Sequence, residues 1–348
     1  MLLGITGFVV CCLLWLPSRA MAAPADGDFN LQVTPSPLVA TVDPGTKTQL
    51  ELKVHNQGTG VENLKIEARA FSVSSNSTNI SLLDTAPPAI GSWISFSNPT
   101  FTLLPGQWFS EEITLALPKN AGFSYSFALV ISRQNETAAS GSGRLIQGSL
   151  AVFTLINVNR QGATANLAVT NFRASKSLYE YLPALFSITF RNKGNTILQP
   201  YGNLFITRSG SRNTLAALSV NANKGYVLPG ITRTFTTPWA NGFPVYETVS
   251  NPDGSATQKL TWNWGQLSSL RIGHYTAHLV AVYNQSGRDI PIEGEVSFWV
   301  IPWRILALLL VISLLVLFAL FILGRAIFRL VYRRTRKHKK PTSSAESD

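Results

Sequence analysis

Twenty consecutive residues without a charge, 305–324, read ILALLLVISLLVLFALFILG. At about 1.5 Å rise per residue such a run crosses the ~30 Å hydrocarbon core of a bilayer as one helix. Only a helix satisfies every backbone group in lipid, so a strand is excluded here. Trp299 and Trp303 precede the run and suit a membrane interface. Arg325, Arg329, Arg333, Arg334, Arg336, Lys337, Lys339 and Lys340 follow it. Basic residues stay on the cytoplasmic side. The expectation is therefore a transmembrane helix over 303–324, a basic cytoplasmic tail over 325–348, and everything before it outside. The tail either attracts anionic lipid headgroups or serves only as a stop-transfer anchor.

The net charge of +11 sharpens this reading. Residues 325–348 hold eight Lys/Arg and two acids, whereas 24–303 hold 19 Lys/Arg against 16 acids. An excess concentrated beside an apolar helix is a topology signal, and it argues against a nucleic-acid partner. At the other end, residues 2–16 are apolar apart from Thr6, and Ala20-Met21-Ala22-Ala23 follows Arg19. Small residues there fit a signal peptide over 1–23, cleaved after Ala22 or Ala23. No Lys or Arg precedes the apolar run, so an uncleaved N-terminal anchor is the alternative. Both cysteines, Cys11 and Cys12, lie in this segment. The rest of the chain therefore needs no disulfide and has no thiol chemistry, which leans toward a bacterial surface.

Between these ends the apolar pattern has period two. Leu50, Leu52 and Val54 alternate with Glu51, Lys53 and His55; Phe186, Ile188 and Phe190 share a face, as do Tyr275, Ala277, Leu279 and Ala281. Turn signals such as Pro44-Gly45, Pro105-Gly106 and Pro229-Gly230 separate the runs. Short strands so punctuated predict an all-β fold. A weak repeat divides them. His55-Asn56-Gln57-Gly58 corresponds to Arg191-Asn192-Lys193-Gly194, Leu104-Pro105-Gly106 to Leu228-Pro229-Gly230, and Gly122-Phe123-Ser124-Tyr125 to Gly273-His274-Tyr275. The length and the repeat predict two tandem Ig-like β-sandwiches, over 28–160 and 165–301. The second carries an insertion over about 239–269.

Val33-Thr34-Pro35, and then Pro44-Gly45 leading into an alternating strand that ends at Asn56, resemble the opening of the WxL-interacting surface proteins of Gram-positive bacteria. Leu104-Pro105-Gly106 followed by Leu117-Pro118 is similar to a later strand and turn of that family. The chain lacks the family's Tyr-Phe-Asp element and adds the Trp-rich insertion. The resemblance implies a first domain that contacts peptidoglycan and a second that engages a partner surface protein.

Chemistry-bearing clusters are sparse. On a strand His274 and His278 stand about 13 Å apart, too far for one metal ion. Glu293 and Glu295 fall about 6.6 Å apart on one strand face, a spacing that glycoside hydrolysis also uses, but a solvated face accounts for them. There is no nucleophile elbow and no phosphate-binding glycine loop. The expectation is a protein that is not an enzyme and needs no cofactor or metal. The insertion holds Trp239, Phe243, Tyr246, Trp262 and Trp264. Trp239, Tyr246, Trp262 and Trp264 are the candidate binding residues, through stacking on sugars or anchoring a protein. Alternatively these rings cover their own core or lie against the membrane. Asn76, Asn79, Asn135 and Asn284 begin glycosylation sequons, relevant only to a eukaryotic chain. The function expected is a single-pass, membrane-anchored surface protein that binds an extracellular protein or the cell-wall glycan in adhesion. The alternative is a structural spacer or envelope component with no ligand.

Overall fold

The computed structural model describes residues 29–74, 80–134, 148–251, 254–285 and 287–337. The signal-peptide segment, the sequons at Asn76, Asn79 and Asn135, and Lys339 and Lys340 lie outside the described residues. The described chain is mostly β-strand, with one long helix at its C-terminal side. It divides into two compact units: residues 1–163 with 195–197, and residues 164–194 with 198–348.

The first unit contains β1 (Leu31–Thr34), β2 (Leu38–Val42), β3 (Lys47–Asn56), β4 (Glu62–Arg69), β5 (Phe71–Val73) and β6 (Ile80–Leu82). After them come β7 (Ile94–Phe96), β8 (Thr100–Leu103), β9 (Trp108–Ala116), β10 (Ser124–Arg133) and β11 (Ser149–Val158). One sheet has the order β1-β3-β9-β7 and the other β2-β11-β10-β4-β8, with β5-β6 a separate hairpin. Alternation explains the layering. Leu52 and Val54 of β3, Ile113 and Leu115 of β9, Leu64 and Ile66 of β4, and Phe127, Leu129 and Ile131 of β10 are all buried in one cluster. Each such side chain contributes about 1.5–3 kcal/mol by leaving water.

The second unit contains β12 (Leu167–Ala174), β13 (Leu178–Tyr179), β14 (Ala184–Asn192), β15 (Tyr201–Arg208), β16 (Thr214–Val220) and β17 (Thr232–Trp239). It continues with β18 (Val245–Ser250), β19 (Ala256–Thr261), β20 (Gly273–Gln285) and β21 (Arg288–Val300). Its sheets are β12-β14-β17 and β13-β21-β20-β15-β16, and β18-β19 forms a hairpin. Phe186, Ile188, Phe190, Leu204, Ile206, Leu279, Phe298 and Trp239 form its core.

The two units repeat one strand plan. In each, an early strand pairs in parallel with the last strand, β2 with β11 and β13 with β21. The sequence repeat is a set of bonds. At the end of β3 the side chain of Asn56 is buried, and its Nδ2 donates to the carbonyls of Gly60 (2.8 Å) and Leu103 (3.2 Å). Its Oδ1 accepts from the Gly58 N–H at 2.9 Å. Asn192, buried at the end of β14, donates to Val227 O and accepts from Gly194 N–H, each at 2.9 Å. The Leu-Pro-Gly turns close on the same asparagines: Gly106 N–H donates to Asn56 O and Gly230 N–H to Asn192 O. Gly106 and Gly230 take φ of +74° and +73° there, a region costly for any residue with a Cβ. A tyrosine likewise turns back at the start of each matching strand. Tyr125 Oη accepts from Gly122 N–H, and Tyr275 Oη donates to Ile272 O.

Two expectations are corrected. Trp239 does not open an insertion. It ends β17, pairs with Ala184 and is fully buried against Tyr275 and Phe298. The reason is the continuing alternation of Phe235, Thr237 and Trp239, all buried on one face. The helix also does not stop at residue 324. α1 runs Trp303–Lys337, because no proline follows Gly324 and Ile327 and Phe328 continue the apolar pattern. Its segment Trp303–Arg329 is long and apolar enough to cross a membrane, and its apolar stretch is not buried against the rest of the described chain. Arg325 and Arg329 are exposed on it, and the helical backbone carries Arg333, Arg334, Arg336 and Lys337.

Candidate functional site

Of the four aromatic candidates, the structure brings Trp262 and Trp264 together. β19 ends at Thr261, so Trp262 lies just beyond the strand, and Trp264 opens a 3-10 turn over Trp264–Ser269. Their rings still stack, with centroids 5.8 Å apart and planes 26° apart. The buried Phe243 supports both from below, at 5.8 Å and 5.3 Å. Trp264 is 69% exposed, and Trp262, Leu267, Leu270 and Ile272 are exposed around it. Tyr246, half-buried on β18, instead meets Tyr181 at 5.9 Å. Trp239 belongs to the core and contributes nothing to this surface.

A second surface lies on the first unit, and sequence reasoning missed it. The outward residues of the β1-β3-β9-β7 sheet align in rows across the strands. Gln32 pairs with His55, which pairs with Trp108. In the next row Thr34 pairs with Lys53, which pairs with Ser110, and further along Glu51 pairs with Glu112. The Trp108 indole lies flat on the His55 imidazole, with centroids 4.4 Å apart and planes 3° apart, and remains 48% exposed. The Gly106 carbonyl, 3.2 Å from His55 Nε2, accepts that ring's N–H and fixes its orientation. Beside the platform, Glu51 accepts from the Ser110 hydroxyl at 2.5 Å and pairs with Lys53 at 3.5 Å. The Ser110 hydrogen bond, with Lys53 beside it, lowers the Glu51 pKa, so its carboxylate is charged. Gln57 donates to Gln32 at 2.7 Å on the same side. The platform stands at the end of the unit opposite Val158, where the chain leaves β11, because β10 and β11 run back from that end. A flat aromatic face flanked by amides, a hydroxyl and charged groups can stack on a sugar ring and bond its hydroxyls. The signal available in the sequence was the Leu-Pro-Gly-Gln turn, which sets Trp108 at the first position of a strand.

The titratable pairs serve other roles. His278 on β20 faces Glu295 on β21, with Nδ1 to Oε2 at 3.6 Å, and His274 packs on Trp299. Glu293 and Glu295 are both exposed on β21. Among the described residues no group of three or more His, Cys, Asp or Glu could hold a metal ion. Two carboxyls of the described residues are turned inward, and one of them, Glu62 on β4, is paired with Arg133. Glu111 on β9 is fully buried, and its Oε1 accepts from the Asn98 N–H at 2.8 Å. Burial raises its pKa above the 4.5 of a free carboxyl, against the opposing effect of the Asn98 N–H. The charged form is the costly one in the folded state. The stability Glu111 contributes is thus present below that value and is lost as pH rises through its raised pKa. Glu111→Gln is expected to stabilise the unit at pH 7 by on the order of 1 kcal/mol and to flatten this pH dependence. Urea unfolding at several pH values measures both effects; an unchanged pH slope would refute the assignment.

No family model matches the chain, and no curated protein matches it. Solved structures resemble it distantly. A class 5 fimbriae chaperone, CfaA, is 10% identical with a TM-score of 0.36, covering 77% of this chain and 99% of that one. A chain of a chaperone–tip adhesin complex of CFA/I fimbriae is 14% identical with a TM-score of 0.34, covering 67% and 98%. The E. coli chaperone DraB is 12% identical with a TM-score of 0.31, covering 67% and 96%. At such identities and scores the likeness is one of β architecture and carries no functional meaning.

Proposed function

We propose that this chain is a membrane-anchored surface protein, not an enzyme, whose two Ig-like β-sandwiches stand outside the cell, and that its first unit binds cell-wall glycan. The observation that supports this is the Trp108–His55 platform. A tryptophan exposed at the free end of a sheet, held flat by a partner ring and surrounded by polar side chains, is arranged to receive something. Stacking of this kind contributes about 0.5–1.5 kcal/mol beyond area burial, and a central tryptophan commonly costs 2 kcal/mol or more on truncation. The resemblance to WxL-interacting proteins points the same way, since it places peptidoglycan against the first domain. The basic residues in the C-terminal part of α1 support the orientation with the tail inside and the β units outside.

The test is binding of the chain, purified in detergent micelles, to insoluble peptidoglycan. Trp108→Ala is expected to weaken binding by roughly 10-fold or more, the equivalent of about 1.4 kcal/mol. Its thermal unfolding should be little changed, because the indole lies on the outer face. Retention of full affinity by Trp108→Ala removes the platform as the site. If the unsubstituted protein fails to sediment with peptidoglycan, the glycan reading is wrong and a spacer role takes its place.

A further inference from the structure

The register of the second unit places its exposed aromatic surface beside its own helix. Gly273 at the start of β20 pairs with Val300 at the end of β21. Leu270 lies three residues before Gly273, and Trp303, where α1 begins, three residues after Val300. At about 3.3 Å per residue, each is within roughly 10 Å of that paired end. The base of the β18-β19 hairpin is at the same end, since Val245 bridges to Leu182, just before β14, and Tyr246 N–H donates to Leu182 O. Glu180, two residues earlier, pairs with Arg304 of α1 at 3.5 Å. Trp262, Trp264, Leu267, Leu270 and Ile272 therefore project from the end of the sandwich that the helix leaves.

We infer that this surface docks on the outer leaflet of the bilayer, resting on the reading of α1 as a membrane-spanning helix. The chemistry suits that occupant. Indoles pair an apolar body with a polar N–H and concentrate at the membrane interface. Trp303, exposed at the first turn of α1 with Arg304 against its ring, marks the same level. Arg271 and Arg208 stand behind the loop, the first over Trp239 and the second donating to Ile272 O, where lipid phosphates would lie. A soluble partner would have to reach this surface beside the lipid; the bilayer meets it once α1 is inserted. Such docking adds a second attachment point and fixes the tilt of the second unit.

The experiment uses the full chain with Cys11→Ser and Cys12→Ser, reconstituted in vesicles of phosphatidylcholine and phosphatidylglycerol. Single cysteines introduced as Leu267→Cys, Leu104→Cys and Leu317→Cys carry an environment-sensitive fluorophore. A lipid bearing a shallow acyl-chain quencher reports contact with the bilayer. The label at 317, within α1, should be quenched, and that outcome tests the anchor alone. The label at 267 is expected to be quenched roughly twofold or more over the label at 104 on the first unit. Quenching at 317 with none at 267 overturns the docking while the anchor stands. No quenching at 317 overturns both. Shielding at 267 that arises only when peptidoglycan or a cell-surface extract is added assigns the surface to that partner and also refutes the docking.

Discussion

Trp239→Ala lowers the stability of the second unit by roughly 3–5 kcal/mol, the range found when a large buried aromatic is truncated. For a unit of this size that corresponds to a fall in melting temperature of about 10–15 °C. The physical basis is the position of the indole, which closes β17 and fills the space between Tyr275 and Phe298, with the Arg271 guanidinium 5.9 Å from its centroid. Removing it leaves a cavity beneath the last strand, which the two packed sheets cannot collapse to fill. Trp264→Ala, by contrast, removes an exposed ring and should cost less than about 1 kcal/mol. Calorimetry of the two variants side by side separates core from surface. Equal effects would contradict the packing described above.

The second large effect falls on the repeated asparagines. Asn56→Ala and Asn192→Ala should each destabilise their own unit by about 2–4 kcal/mol. A typical hydrogen bond contributes about 1 kcal/mol, and the Asn56 side chain makes three such bonds and that of Asn192 at least two. Asn56 Nδ2 serves the Leu103 carbonyl from within the core, and Asn192 Nδ2 serves that of Val227. Without these donors the Leu-Pro-Gly turn keeps its backbone bonds to the preceding strand but loses the side-chain bonds that reinforce them. Asn56→Asp and Asn192→Asp keep the shape but bury an acceptor against carbonyls, so they should be at least as harmful at pH 7 and partly recover in acid. Urea midpoints for each unit read these changes. A mutant that leaves its unit unaffected would show that the turn holds by other means.

Much of the architecture was legible because it rests on local backbone demands. Asn56 and Asn192 followed by Gly58 and Gly194, and Gly106 and Gly230 after a proline, are positions where few residues fit, so the repeat survived in the letters. The alternation in β3, β14 and β20 was legible for the same reason: its period is that of the pleat. What remained hidden depends on pairing across distance. His55 meets Trp108 only through the β3–β9 register, across 53 residues of sequence, and no local pattern announces it. Trp239 was misplaced, grouped with the aromatic residues that follow it although the alternation with Phe235 and Thr237 ran through it. In fact Pro238 points outward on β17 and the ladder with β14 continues past it to Ala184. Trp262 and Trp264 stack on each other beyond the end of β19, and their level relative to α1 follows only from pairings distant in sequence, those of β20 with β21, Val245 with Leu182 and Glu180 with Arg304.

The parallel pairing of an early strand with the last one governs how each unit answers to tension. β2 runs beside β11, and β13 beside β21, in the same direction. A pull that draws the incoming chain one way and the outgoing chain the other slides these strands along each other instead of peeling them apart. The hydrogen bonds of the contact must then yield together, including those from Trp299 N–H to Ser177 O and from Ile301 N–H to Tyr179 O. Resistance of that kind is set by an unfolding rate rather than by equilibrium stability.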